Sequence, residues 1–336
     1  MNTGTKTLLV TGGAGFIGSH VCTSLINSNH QVVCLDNFDP YYSESIKLRN
    51  IAGLRDQALF HMVKGDIRDP KRLKDLFSRF NIDAVVHLAA KAGVRESSKA
   101  PFCYFDNNVN GTLSLLDVMK DFGVLNLVFA SSSSVYGDKA GAVKEEEVDN
   151  TPKSIYASSK IATELIAYNY FQKYDFRVVG LRFFSIYGER QRPDLVIHRF
   201  LRQIRDRRPL TIFGKGNQSR DFTHISEAVK AISGSIDLVL SRPKGFFEAI
   251  NVGNSHPVSL NTVVALLQDA YGDDVTIQYS AEREEDPKTS CADISKAAQL
   301  LGYHPKVKFE NGLKAFITWF EGQYNIQITQ KNDSGT

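Results

Sequence analysis

The stretch TGGAGFIG, residues 11–18, constrains this chain more than any other. It follows the apolar run TLLV and opens a segment with helical patterning from Gly15 to about Asn27. Its glycines fall as Gly13-x-Gly15-x-x-Gly18 and also as Gly12-x-x-Gly15-x-x-Gly18. A strand, a glycine turn and a helix start, in that order, let backbone approach a pyrophosphate and aim free N–H groups at it. Such a site also needs an acid at the end of the second strand, to take the ribose hydroxyls. Asp36 closes the run VVCLD and meets that need. The residues after it are Asn37 and Phe38, not a cation, so NAD is expected over NADP.

Apolar runs at 7–11, 32–36, 61–67, 84–90, 127–134 and 177–184 alternate with helical patterns. Continuous apolar strands with helices between them indicate a parallel sheet covered on both faces. The expected fold is α/β: a Rossmann-type, doubly wound parallel sheet with a smaller mixed α/β substrate domain. The first domain is placed at 1–180 with returning segments near 226–255, and the second, interleaved, at 181–325. Residues 326–336, QKNDSGT and the residues before it, read as a disordered tail. No internal repeat or low-complexity linker is visible.

Composition excludes several function classes. Forty Lys and Arg against 37 Asp and Glu leave a net charge of +3, which gives no reason to propose nucleic acid or an anionic membrane as partner. No apolar stretch approaches the roughly 18 residues of a membrane span, and the run near the start is too short for a signal sequence, so a cytoplasmic protein is expected. Cys22, Cys34, Cys103 and Cys291 show no CxxC spacing and read as reduced packing residues. No histidine lies at i+4 from another, and no metal is expected. The arginine-rich run RFLRQIRDRRP, 199–209, reads as a solvated helix face with cations near its C-terminus.

Chemistry concentrates in two later segments. YASSK places Tyr156 and Lys160 at i and i+4, on one face of a helix. A phenol, with its ordinary pKa near 10, is a poor base at neutral pH, and an ammonium one turn away stabilises the phenolate. Tyr156 is therefore a candidate general acid/base. FASSSSVYGD, 129–138, lines up four hydroxyls at the end of an apolar run; serines there can serve a reaction or merely cap a strand end.

On TGGAGFIG, HLAA, NNVNGT, SSSSVYG, YASSK, RDFTHI and NVGN, the chain resembles the extended short-chain dehydrogenases/reductases of the NAD-dependent sugar-nucleotide epimerase/dehydratase group. The resemblance spans nearly the whole length. On LDNFDPYY, HLAAKAGVRESS, RFFSIYGERQRPD and SRDFTHI it runs to the UDP-glucuronate 4-epimerase branch. It implies that Tyr156 takes the proton of the sugar 4-hydroxyl while C4 gives hydride to NAD. The 4-keto sugar then turns and receives hydride on its other face. NAD, regenerated each turnover, is then tightly held.

The resemblance also implies residue roles. Gly12, Gly15, Phe16, Ile17, Gly18, Asp36, Asn37, Asp66, Ile67, Leu88, Ala89, Ala90, Asn108, Tyr156 and Lys160 would hold the cofactor. Asp66 could meet the adenine or serve only as a helix-start acid. Ser132 matches the family's catalytic hydroxyl. Ser133 and Ser134 stand where the resembling dehydratases carry Asp and Glu, and decarboxylases carry Glu before VYG. Neutral hydroxyls argue against both reactions and fit an epimerase. Ser185, Arg192, Arg220 and Arg283 would meet the substrate: Arg220 and Arg283 its diphosphate, Arg192 its carboxylate by a bidentate pair. Arg192 could equally be a solvated loop arginine, and Arg283, among Glu282, Glu284 and Glu285, a surface ion-pair partner. The helices around 107–122 and 154–174 would pair in a homodimer, although Ile161, Leu165 and Tyr168 could also be intramolecular core. UDP-glucose or UDP-N-acetylglucosamine are alternative substrates; a decarboxylase or a non-catalytic NAD-binding module are the remaining readings.

Overall fold

The computed structural model describes residues 4–139, 141–148, 151–272, 275–282 and 287–324. Arg283 and the tail 326–336 lie outside the described residues. The strands, in chain order, are β1 (Thr7–Thr11), β2 (Gln31–Asp36), β3 (Phe60–Lys64), β4 (Ala84–His87), β5 (Asn126–Ser132), β6 (Ala142–Val143), β7 (Arg177–Phe183), β8 (Ser185–Tyr187), β9 (Leu210–Phe213), β10 (Ser219–His224), β11 (Phe246–Val252), β12 (Pro257–Ser259), β13 (Ile277–Ser280) and β14 (Cys291–Ala292).

Seven of them form one sheet in the order β11-β7-β5-β4-β1-β2-β3, and every pairing in it is parallel. The strand order reverses at β1, which pairs with β2 on one side and β4 on the other. A crevice opens beyond the carboxyl ends of strands at such a point, and that places the site. Side chains alternate between two apolar layers. Leu8 and Val10 pack with Val21 and Leu25 of the helix Phe16–Asn27, while Leu9 packs with Leu73 and Leu115 on the opposite face. A separate core around Tyr187, Phe200, Phe222, Phe309 and Phe316 supports the short sheets β12-β10-β8 and β13-β9.

Strand ends differ from the sequence expectation where the crevice begins. β3 stops at Lys64, β4 at His87 and β5 at Ser132. The residues beyond leave the ladder to line the cleft. After β5, the Ser132 hydroxyl accepts from the Ser134 N–H at 3.2 Å and turns the chain into a short 3-10 helix, Ser133–Tyr136. The NNVN stretch is also not regular α-helix: Asp106–Asn110 makes one π turn. There the side-chain amide oxygens of Asn107 and Asn108 accept from the Lys91 backbone N–H, at 3.1 and 2.7 Å, which ties the turn to the loop after β4.

The segment SRDFTH forms β10, and its alternation separates two charges. Arg220 reaches the cleft, while Asp221 is fully buried. The Asp221 carboxylate accepts from the N–H groups of Asn254 at 2.6 Å, Ser255 at 3.0 Å and Ala292 at 2.9 Å. It thereby holds NVGN and β14 against β10. Asp221→Ala strands those three donors, at about 1–3 kcal/mol each when buried without an acceptor. The expected result is a loss of at least about 3 kcal/mol, read as a lowered urea midpoint with an unchanged slope.

Candidate active site

One cleft of about 720 Å³ runs along the carboxyl ends of the sheet strands. At one end lies the glycine turn. Gly12 has φ of 69°, a region that favours glycine, and a Cβ there would stand 2.8 Å from the Ala89 nitrogen. A Cβ on Gly18 would strike the Gly12 carbonyl oxygen. No side chain caps the helix that begins at Phe16, so its first N–H groups are left for an anion. These features fit a dinucleotide pyrophosphate.

Asp36 lines the same end and is almost fully buried. Its carboxylate accepts from Phe38 N–H at 2.8 Å and Ala14 N–H at 3.1 Å, which brace the turn while lone pairs remain for ribose hydroxyls. Burial pushes its pKa up, and Lys47, 3.9 Å away, opposes the shift. Gly15, Phe16, Ile17, Asn37, Ile67, Leu88, Ala89 and Ala90 also line this end. Asp66 and Asn108 do not line the wall. The Asp66 carboxylate is taken by Arg68 at 2.8 Å and Asn37 at 2.9 Å, and the arginine holds its pKa down at about 2. The Asn108 amide is spent on the Lys91 backbone and Ser159. Both support the wall from behind.

The middle of the cleft carries the hydroxyls. The helix Ile155–Tyr174 starts at Ser154, whose side chain caps Ala157, and projects Tyr156 and Lys160 toward the end of β5. Lys160 is buried, and its ammonium donates to the Ala130 carbonyl at 2.8 Å. That places its nitrogen 5.9 Å from the Tyr156 ring centre, where it acts through space. Burial pulls Lys160 down to about 8, and Glu164 pushes it back up. Burial raises the Tyr156 phenol, whereas a hydrogen bond with Ser132 and the charge of Arg192 lower it.

Ser134 is more than a neutral replacement for an acid. Its hydroxyl donates to Ser132 Oγ at 2.9 Å, alongside its own N–H at 3.2 Å. With its acceptor side occupied twice, the Ser132 hydroxyl keeps its single proton to donate, to Tyr156 in the empty cleft or to a substrate oxygen in the filled one. Ser131 faces away and donates to the buried Glu164 carboxylate.

Ser185 and Arg220 line the far end of the cleft, and Arg192 lines it nearer Tyr156. Arg192 is not free: it makes a bidentate pair with Asp194, at 3.1 and 2.9 Å, and lies over the Tyr41 ring. Sequence reading missed Arg95, Arg199 and Phe213, where both guanidiniums lie against the same aromatic ring in the cleft. Arg199 had been grouped with a solvated arginine face. Spacing alone could not show that its turn of helix meets β9. Lys91, ion-paired with Asp39 at 2.9 Å, is another lining cation that sequence did not single out.

Parallel sheet, glycine turn, acid after β2 and a Tyr–Lys helix beside a serine-tipped strand together define a dinucleotide-dependent enzyme of the short-chain dehydrogenase/reductase class. The family model described as GDP-mannose 4,6 dehydratase matches residues 9–316, and the chain belongs to this family of extended sugar-nucleotide epimerases and dehydratases. It is 38% identical over 321 residues to a UDP-glucuronate 4-epimerase of Thermodesulfobacterium geofontis, covering 95% of this chain and 97% of that one. Among solved structures, UDP-glucuronic acid 4-epimerase from Bacillus cereus, in complex with UDP-glucuronic acid and NAD, superposes with a TM-score of 0.88 at 36% identity, over 95% of this chain and all of that one. UDP-glucose 4-epimerase from Thermotoga maritima, with UDP-glucose, gives 0.85 at 30% identity over 95% of this chain and 99% of that one.

Proposed function

We propose that the chain is an NAD-dependent isomerase that epimerises UDP-glucuronate to UDP-galacturonate at C4. The observation that carries this reading is the neutral hydroxyl set Ser132, Ser133 and Ser134 around Tyr156, with Arg192 beside it. The likeness to the Bacillus cereus and Thermodesulfobacterium enzymes supports it. The glycine turn and Asp36 would hold NAD, which would supply the hydride acceptor for C4 and the donor for return to the other face. Tyr156 takes the 4-hydroxyl proton and later returns it. Ser132, oriented by Ser134, donates to the oxygen at C4. Lys160 supplies the positive charge that favours the phenolate.

The 4-keto uronate formed on the way carries its carboxylate beta to the ketone and loses CO₂ readily. A site for this reaction must hold that carboxylate and offer no acid/base beside it. Ser133, Ser134, Ser185 and Arg192 can hold it, once Arg192 shares or exchanges Asp194. Arg220, with Arg95 and Arg199 across Phe213, supplies cations and an aromatic face for the nucleotide diphosphate.

A proton NMR time course with UDP-glucuronate, UDP-glucose and UDP-N-acetylglucosamine tests the reading. Inversion at C4 is expected with the first; release of CO₂ or a UDP-pentose from it sinks the proposal. The bidentate Arg192–Asp194 pair favours a second reading, a neutral UDP-hexose, because it leaves the arginine already matched. Arg192→Ala separates the two. For a uronate, kcat/KM should fall by about 100-fold, the loss of a charge-assisted pair, and for UDP-glucose by less than about tenfold. Equal losses remove Arg192 from the carboxylate role.

This reading includes a homodimer. Phe102 at 88% exposed, Leu165 at 59%, Leu113 and Tyr168 at 44% lie on neighbouring helices and form an apolar face suited to a second copy. Light scattering should give twice the chain mass. A cytoplasmic setting belongs to it too, since the four free cysteines suit a reducing compartment. Among the described residues, no helix is long and apolar enough to cross a membrane.

A further inference from the structure

The helix of Tyr156 and Lys160 carries one more charge on the same face. Glu164 sits one turn beyond Lys160 and is buried. Its carboxylate is fully engaged. One oxygen accepts from Ser131 Oγ and from Arg182 Nε at 2.9 Å; the other accepts from Arg182 Nη2 at 2.7 Å. Arg182, on β7, is also buried, and its remaining nitrogen points the other way. That nitrogen donates to the Tyr136 hydroxyl at 3.0 Å and the Glu145 carbonyl at 2.7 Å. Tyr136 donates in turn to Asn251 on β11. One ion pair thus joins β5, β7, β11, the Ser133–Tyr136 turn and the Tyr156 helix.

A buried ion pair is a poor source of stability, because desolvation offsets most of the attraction; apolar groups of similar volume would serve packing as well. Its partners suggest what it serves. Ser131 precedes Ser132, and Tyr136 closes the turn that orients Ser132. Lys160 lies one turn before Glu164. The pair therefore grips the serine segment on both sides and the catalytic helix at once.

We propose that Arg182 and Glu164 are positioning residues for the epimerase reaction: the pair locks Ser131–Tyr136 against the Tyr156 helix and sets the Glu164 carboxylate one helical turn from Lys160. This rests on the function proposed above. The charged and titratable groups around Lys160 are few. Tyr156 shares its helix. His87, facing it from β4 between Thr11 and Thr112, is held neutral by burial at about 3. Glu164 is the group that opposes the effect of burial on Lys160.

Three variants test this: E164Q, S131A and the double variant E164Q/R182M, which leaves no unpaired buried charge and so guards against simple misfolding. Turnover is normalised to bound NAD and followed against pH. In parallel, Tyr156 ionisation is titrated by its near-ultraviolet phenolate band, each form against its own Y156F counterpart. E164Q should lower kcat about tenfold with KM changed less than about twofold, and move the limb near pH 8 down by about one unit. E164Q/R182M, which removes the neighbouring cation together with the carboxylate, should move the limb the same way by a smaller amount. S131A should lower kcat without moving the limb, because it breaks the alignment bond and leaves the charge. An unmoved limb and an unchanged phenol titration in both E164Q forms overturn the proposal. So does a loss confined to KM. Failure of the unsubstituted protein to epimerise any UDP-sugar overturns the function instead, and the phenol titration still reports on the pair.

Discussion

Tyr156→Phe should lower turnover of UDP-glucuronate by about 10⁴-fold and leave NAD bound. The change removes one oxygen. That oxygen meets Ser132 and lies in the field of two cations, Lys160 and Arg192. No carboxylate stands at 133 or 134 to take over the proton. Phenylalanine keeps the ring, including its edge-on contact with Tyr104 at 6.3 Å between centroids, so the wall retains its shape. Bound NAD, read from the absorbance of denatured protein, should therefore be unchanged. A variant with more than a tenth of the original turnover would remove Tyr156 from the acid/base role.

Lys160→Met should lower turnover at neutral pH by about 10²–10³-fold and change the shape of the pH profile. An opposite charge close by shifts a pKa by about one to three units, and each unit lost leaves tenfold less phenolate. The sign follows from the two groups. Burial raises the Tyr156 phenol, the Ser132 hydrogen bond and Arg192 lower it, and an ammonium 5.9 Å from the ring centre favours the phenolate in the same direction. The ammonium itself persists below about pH 8 and is lost above it. The unsubstituted enzyme should thus weaken as pH rises past about 8. The methionine variant has no such limb; its activity should keep climbing with pH as the phenol ionises unaided. A variant profile parallel to the original would show that Lys160 acts by some route other than charge. Methionine fills the volume of the lysine stem, but the Ala130 carbonyl loses its donor, so a modest loss of stability accompanies the kinetic effect.

The parts of this protein legible in sequence share a cause: each depends on neighbours close in the chain. The parallel sheet was readable because strands covered on both faces are near-continuously apolar. The glycine turn was readable because a pyrophosphate needs glycine at fixed spacing. Tyr156 and Lys160 were readable because one helical turn sets i and i+4 side by side. Limits of elements were less legible. β3 and β4 end before their apolar runs do, because contacts across the crevice, such as Gly12 against Ala89, take over from the ladder.

Residues close in the chain carried the class of fold, the glycine turn with the acid that ends the second strand, and the Tyr156–Lys160 spacing. The folded chain alone decided which partners the other polar residues meet. Asp66 meets Arg68 and Asn37, and Asn108 meets the Lys91 backbone. Arg199 leaves a run of surface arginines for the cleft because β9 brings Phe213 beneath it. Glu164 and Arg182 meet across 18 residues and two elements, and Ser134 aims Ser132 only because the strand stops there. Charge and hydrogen bonding act through distance in space, and distance between residues remote in the chain is set only when the core has packed.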